Sequence, residues 1–162
     1  MSSPAIVFVF EPYYTFWEKW SGVMKIILAS HGSLADAMLG ALHAIMGDDD
    51  DVESFCLDTY EDPVALSQVV GEKIKKEAGA PVVLVCDIKG GSVFNHLLPF
   101  CANPGVTLFA GMNLNLVLNL VNIMPGTKAE FEEVTREAKA GIDFFDNDIL
   151  EKMKNENDLD LF

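Results

Sequence analysis

Four strand-length apolar runs alternate with segments of helical period along this chain, and that alternation admits few folds. Residues 24–30, 52–57, 82–86 and 106–110 are the runs. The third, Val82-Val83-Leu84-Val85-Cys86, is apolar at every position, as a parallel strand covered on both faces must be. Leu34, Met38, Leu42 and Ile45 recur at helical spacing after the first run, with Ser33 placed to cap that helix and Asp36 near its N-terminus. Leu66, Val69, Val70 and Ile74 repeat the pattern behind Asp62-Pro63, a capping side chain followed by a first-turn proline. Ser92 is placed to cap a short helix over residues 93–98, residues 114–123 form an apolar helix, and Thr127 precedes a segment carrying Phe131, Val134 and Ala138. Such strand-helix units predict an α/β fold, a three-layer sandwich around a mainly parallel sheet. Right-handed crossovers favour the strand order 2-1-3-4. Ile142, Phe144 and Phe145 suggest a fifth strand, and the acidic tail from Asp146 has the scattered apolar residues of a last helix.

The chain has 162 residues, half of them hydrophobic, which suits one domain with a true core. The unmatched part is its start. Residues 1–23 hold an apolar stretch from Ala5 to Phe10, but Glu11 and Pro12 end it. It is too short to span a membrane and lacks the basic start and cleavage site of a signal peptide. The codons of Trp20-Ser21 can spell GGAG just ahead of Met24, as a translated ribosome-binding site would. Residues 1–23 are therefore expected to be a start-site extension, residues 24–145 the functional domain and residues 146–162 an acidic tail. The alternative is a native extension whose aromatics Tyr13, Tyr14, Phe16, Trp17 and Trp20 pack on the domain or a partner.

With 25 acidic against 11 basic side chains the formal net charge is −14. That surface repels nucleic acid and anionic membranes and suits a basic protein partner; the plainer role of the charge is solubility. Cys56, Cys86 and Cys101 show no pairing pattern, and Cys56 and Cys86 lie in apolar runs as small buried hydrophobes of a reducing compartment. No C-x-x-C or His-rich spacing points to a metal.

The chemistry gathers at two strand ends. The first run ends in Ser30-His31-Gly32-Ser33, and the third in Asp87-Ile88-Lys89-Gly90-Gly91-Ser92. In the order 2-1-3-4 the connections reverse direction between strands one and three, and open sheets bind ligands at such a reversal. His31, Asp87 and the Gly90-Gly91-Ser92 turn are thereby brought to one crevice. The glycines let backbone approach a ligand, and the amides at the following helix start suit an anion; a plain strand-to-helix turn would look the same. A neutral His31 could attack phosphorus with one ring nitrogen while Asp87 holds the proton on the other. A turn histidine bonded to backbone and a solvent-facing acid are the competing readings. Lys89 could attract a phosphate or merely keep the loop soluble. His43 and His96 fall inside helices and are expected to be structural.

These residues resemble the IIA component of the mannose family of the bacterial phosphoenolpyruvate-dependent sugar phosphotransferase system. The match lies in Ile26-Ile27-Leu28-Ala29-Ser30-His31-Gly32, in Val85-Cys86-Asp87-Ile88-Lys89-Gly90-Gly91-Ser92-Val93-Phe94-Asn95 and in Gly111-Met112-Asn113-Leu114. It runs over residues 24–145, and the Asp-x-x-Gly-Gly-Ser-x-Phe-Asn segment is its most specific part. The resemblance implies a cytoplasmic phosphotransferase without a bound cofactor. His31 would be the phosphoacceptor and Asp87 its orienting acid, with Gly91 and Ser92 contacting the phosphoryl group. It further implies a histidine-containing phosphocarrier protein as donor and a separate IIB component as acceptor. It also implies a homodimer, with residues 142–145 as the segment for an exchanged strand, and contact with the membrane only through the sugar permease complex. Lys89 departs from a position often aromatic in the family, and Val93 from one that is often proline.

Three other readings compete. A phosphocarrier domain feeding dihydroxyacetone kinase shares the Ser-His pattern but fits the Gly-Gly-Ser segment less well. A flavodoxin-like small-ligand module would need a phosphate loop of the usual length after the first strand. A regulatory domain that has lost transfer would have little use for His31 and Asp87. The sugar is not encoded here, because the membrane components select it.

Overall fold

The computed structural model describes residues 24–77 and 79–155. Residues 1–23, expected to be an extension, and the tail end, residues 156–162, lie outside them. The element order is β1 (Lys25–Ser30), α1 (Leu34–Met46), β2 (Val52–Cys56), a 3₁₀ turn (Leu57–Thr59), α2 (Pro63–Lys76), β3 (Val82–Cys86), α3 (Ser92–Leu97), a second 3₁₀ turn (Leu98–Ala102), β4 (Val106–Ala110), α4 (Leu114–Ile123), α5 (Lys128–Ala140) and α6 (Asn147–Asn155).

The four strands form one parallel sheet in the order β2-β1-β3-β4, the order expected from the crossovers. Ala29 pairs with Phe55 on one side and with Cys86 on the other, so the ends of β1, β2 and β3 sit level. Alternate residues of each strand go to opposite faces. Ile26, Leu28, Val83 and Val85 pack under Leu42 of α1, Leu116, Val117 and Leu120 of α4, and Val134 and Ala138 of α5. Ile27, Ala29, Leu84 and Cys86 pack under Leu66 and Val70 of α2 and Val93 and Leu97 of α3. Every residue of β3 is buried, and both faces of the sheet are covered, which makes the three layers. Burial of each such aliphatic side chain stabilises by about 1.5–3 kcal/mol. Cys56 and Cys86 are buried thiols within the two cores, and Cys101 is exposed.

Several helix starts follow local chemistry. The Asp62 carboxylate accepts the amide of Ala65 at 2.8 Å ahead of Pro63. Thr127 and Glu130 form a reciprocal capping box on α5. Two expectations need correction. Ser33 makes no side-chain cap bond; the hydroxyl of buried Ser30 instead accepts the amide of Ala35 at 2.8 Å. Ser92 is the first residue of α3, and Gly91 holds the cap position.

The C-terminal segment also differs in part. The expected last helix is α6. Ile142 to Phe145 form no strand within the chain, and Ile142, Phe144 and Phe145 are 75%, 69% and 69% exposed. A strand exists only with a ladder partner, and this segment meets none in its own sheet.

Candidate active site

The site lies at the carboxyl edge of the sheet, where β1 and β3 run side by side and their following connections diverge. β1 delivers His31 one residue beyond its end, and β3 does the same for Asp87. One oxygen of Asp87, Oδ2, accepts two bonds from His31: the backbone amide at 2.9 Å and the ring at Nδ1, 2.7 Å away. Its other oxygen accepts the amide of Ile88 at 2.8 Å. The side chain of Asp87 is largely covered, and that of His31 is 43% exposed. Partial burial pushes the Asp87 carboxyl upward, but the hydrogen bonds from the His31 amide and ring and from the Ile88 amide outweigh it. The net direction is below the ordinary carboxylate value.

These contacts fix the tautomer. A carboxylate held ionised is only an acceptor, so Nδ1 carries a proton, and in the neutral imidazole Nε2 then keeps its lone pair. Nε2 lies 2.8 Å from the hydroxyl of Ser92, which donates to that lone pair. Nε2 therefore points at the start of α3. The Ser92 hydroxyl, read from sequence as a helix cap and as a phosphate contact, makes no cap bond and meets the imidazole.

The turn between β3 and α3 is closed by the Gly91 amide donating to the Ile88 carbonyl at 3.3 Å. Gly90 takes φ +83° at its second central position, a conformation that glycine adopts without strain. Gly91 answers to a different constraint. A Cβ there would stand 2.9 Å from Cγ2 of Ile88 and 3.3 Å from Cε1 of His31, so the imidazole rests in the space a side chain would fill. Lys89 is exposed at the tip of the turn. Asn95 braces the turn from α3, its amide nitrogen donating to the Gly90 carbonyl at 3.2 Å. The first amides of α3 have no intrahelical acceptor, so this edge offers donors to an anion beside Nε2.

His31, Asp87, Gly90, Gly91 and Ser92 are thus brought together. His43 and His96 are not. The Nε2 of His43 is buried and its Nδ1 faces Asp48 at 3.5 Å. His96 donates from Nδ1 to the Ser92 carbonyl at 2.8 Å and is tied to its own helix. Sequence reasoning missed two contributors: Asn95, which lay in the quoted motif without a role, and Asp58, whose carboxylate accepts the Gly32 amide at 3.2 Å. Among the described residues no group of three His, Cys, Asp or Glu side chains could hold a metal, and no helix is long and apolar enough to cross a membrane.

A histidine with one ring nitrogen protonated against a carboxylate, the other open beside a hydroxyl, and a glycine turn next to it can take and release a phosphoryl group. The chain is similar to known proteins. The family model described as the PTS system fructose IIA component matches residues 25–139. A solved structure of a candidate permease of the phosphoenolpyruvate-dependent sugar phosphotransferase system from Klebsiella pneumoniae is 26% identical. It superposes with a TM-score of 0.68 over 75% of this chain and 90% of that one. The mannose/sorbose-specific IIA subunit from Enterococcus faecalis is also 26% identical, with a TM-score of 0.61 over 75% and 94% of the two chains. The PTS IIA protein associated with the fucose utilization operon of Streptococcus pneumoniae, 22% identical, shares the fold with a TM-score of 0.63 over 75% and 92%. No curated protein sequence matches the chain.

Proposed function

This chain belongs to the fructose and mannose IIA components of the sugar phosphotransferase system, and from that premise we propose that it carries a phosphoryl group on Nε2 of His31. The family places it as a phosphotransferase component of sugar uptake. The finer reading is a cytoplasmic phosphocarrier. It takes the group from the histidine-containing phosphocarrier protein and passes it to a separate IIB component, working as a homodimer and meeting the membrane only through the permease complex.

The observation that carries this reading is the pair of contacts on the two ring nitrogens of His31. In the accepting step the Nε2 lone pair attacks the phosphorus of the donor's phosphohistidine. The new N–P bond forms as the donor's N–P bond breaks, and that electron pair returns to the donor imidazole. His31 becomes positively charged while Nδ1 keeps its proton, and the ionised Asp87 stabilises that charge. Ser92, relieved of the lone pair, turns its hydroxyl to a phosphoryl oxygen. Onward donation is the same exchange in reverse, with the IIB nucleophile attacking. Positioning and charge stabilisation suffice for such transfer.

Transfer between two proteins requires an open mouth. His31 is accessible, and the exposed apolar side chains of Leu34 and Ile88 adjoin its loop and the β3 turn, giving a docking rim. The test is incubation with phosphoenolpyruvate, enzyme I and the carrier protein, followed by addition of a IIB component. Labelling of the chain and loss of the label to IIB support the reading; no labelling in the complete mixture contradicts it.

A further inference from the structure

The β1–β2 ladder ends at Ser30 and Cys56, and a side-chain hydrogen bond joins the two segments beyond it. Ser30 pairs with Cys56, and at the same offset of 26 residues the Gly32 amide donates to Oδ1 of Asp58 at 3.2 Å. Asp58 stands in the 3₁₀ turn Leu57–Thr59. That turn is braced by the Thr59 hydroxyl donating to the Cys56 carbonyl at 2.7 Å and by the Tyr60 amide donating to the Leu57 carbonyl at 2.9 Å. On the opposite flank Asp87 accepts the amide of His31. Two consecutive amides of the histidine loop are therefore gripped by carboxylates from the segments that follow the two strands bordering β1.

The grip matters because of what lies between. Gly32 takes φ +53°, a left-handed conformation that glycine enters and leaves freely. In the resting site His31 has a further tether, the Ser92 hydroxyl on Nε2. That bond uses the lone pair that attacks phosphorus, so it cannot persist once Nε2 is phosphorylated. The loop is then held by Asp87 from the β3 side and by Asp58 from the β2 side.

We propose that Asp58 is a positioning residue for His31, acting through the Gly32 amide and most needed in the phosphorylated state. The proposal deepens the phosphocarrier reading and rests on it. The acceptor oxygen, rather than the negative charge, does the holding, and two variants separate them. Asp58→Ala removes the acceptor; Asp58→Asn keeps a carbonyl oxygen and removes the charge. Asp58 is exposed, so both variants should melt close to the parent protein.

The experiment measures acceptance from the carrier protein, donation to IIB, and the ¹⁵N signals of the Gly32 amide and the His31 ring. Asp58→Ala is expected to slow donation about three- to tenfold, the scale of one hydrogen bond, and to slow acceptance less. It should also shift the Gly32 amide and broaden the His31 ring signals, and Asp58→Asn should restore most of each. Donation at the parental rate in Asp58→Ala with unchanged ring signals would overturn the proposal. So would Asp58→Asn behaving as poorly as Asp58→Ala. A parent protein that takes no label defeats the phosphocarrier reading, and the ring and amide signals of the unlabelled variants then decide the placement role alone: unchanged signals reject it.

Discussion

His31 and Asp87 meet twice through a single oxygen: Oδ2 of Asp87 takes the His31 amide at 2.9 Å and lies 2.7 Å from Nδ1 of its ring. One carboxylate thus fixes both where the histidine backbone ends and which way its imidazole faces. Asp87→Asn keeps the shape but can present its NH₂ to Nδ1 and weakens the hold on the imidazolium. Transfer is expected to fall about a hundredfold, the usual scale for one such electrostatic or proton-holding group. Rapid-quench kinetics check it, and equal rates would remove Asp87 from the mechanism.

The same contact makes stability depend on pH. The native carboxyl of Asp87 is held below its ordinary value, so its contribution is fully present above the unfolded carboxyl pKa, about 4. It is lost as pH falls through the lower native value. Denaturant unfolding between pH 6 and pH 3 should therefore show a steeper loss for the parent chain than for Asp87→Asn. Parallel profiles would contradict it.

Gly91→Ala places a methyl group 2.9 Å from Cγ2 of Ile88 and 3.3 Å from Cε1 of His31. Ile88 is exposed and can yield, so the fold should survive. The imidazole must shift by a few tenths of an ångström, and Nε2 then loses its alignment with Ser92. Transfer is expected to fall roughly tenfold with little change in melting temperature, since small misplacements near the chemistry are costly. An unchanged rate would show that the glycine serves the turn alone.

Residues 1–23 precede β1 in sequence, and each candidate site residue lies after them. We propose that they are dispensable: a chain beginning at Met24 should melt and accept phosphate as the full chain does. A marked loss of stability on truncation would identify the aromatic segment as packed structure.

The net charge of −14 should act on encounter with a basic donor surface. Raising salt is expected to slow association more than dissociation, because screening acts mainly on the approach. Stopped-flow association rates independent of ionic strength would leave recognition to the apolar rim of Leu34 and Ile88.

The strand order and the facing of His31 and Asp87 were legible because both follow from apolar runs and from where those runs end. Ser33 was read as a cap, and Ser92 as a cap as well as a phosphate contact, since a serine before a helix most often caps it. The competing hydrogen bonds, from Ser92 to Nε2 of His31 and from the Ala35 amide to Ser30, are visible only in three dimensions. Asp58 carried no signal at all. It joins the site through a side-chain bond to the Gly32 amide from the turn after β2, which no local pattern around Leu57–Thr59 announces. Ile142, Phe144 and Phe145 have the composition of a strand, but composition does not supply the neighbour that a strand requires.

The most direct test of the phosphohistidine is site-resolved mass spectrometry after incubation with phosphoenolpyruvate, enzyme I and the carrier protein. The parent chain should gain one acid-labile phosphoryl group, localised to His31. His31→Ala should remain unlabelled with its fold intact. Undiminished labelling of His31→Ala, or a phosphoryl group found on His43 or His96, would contradict the account.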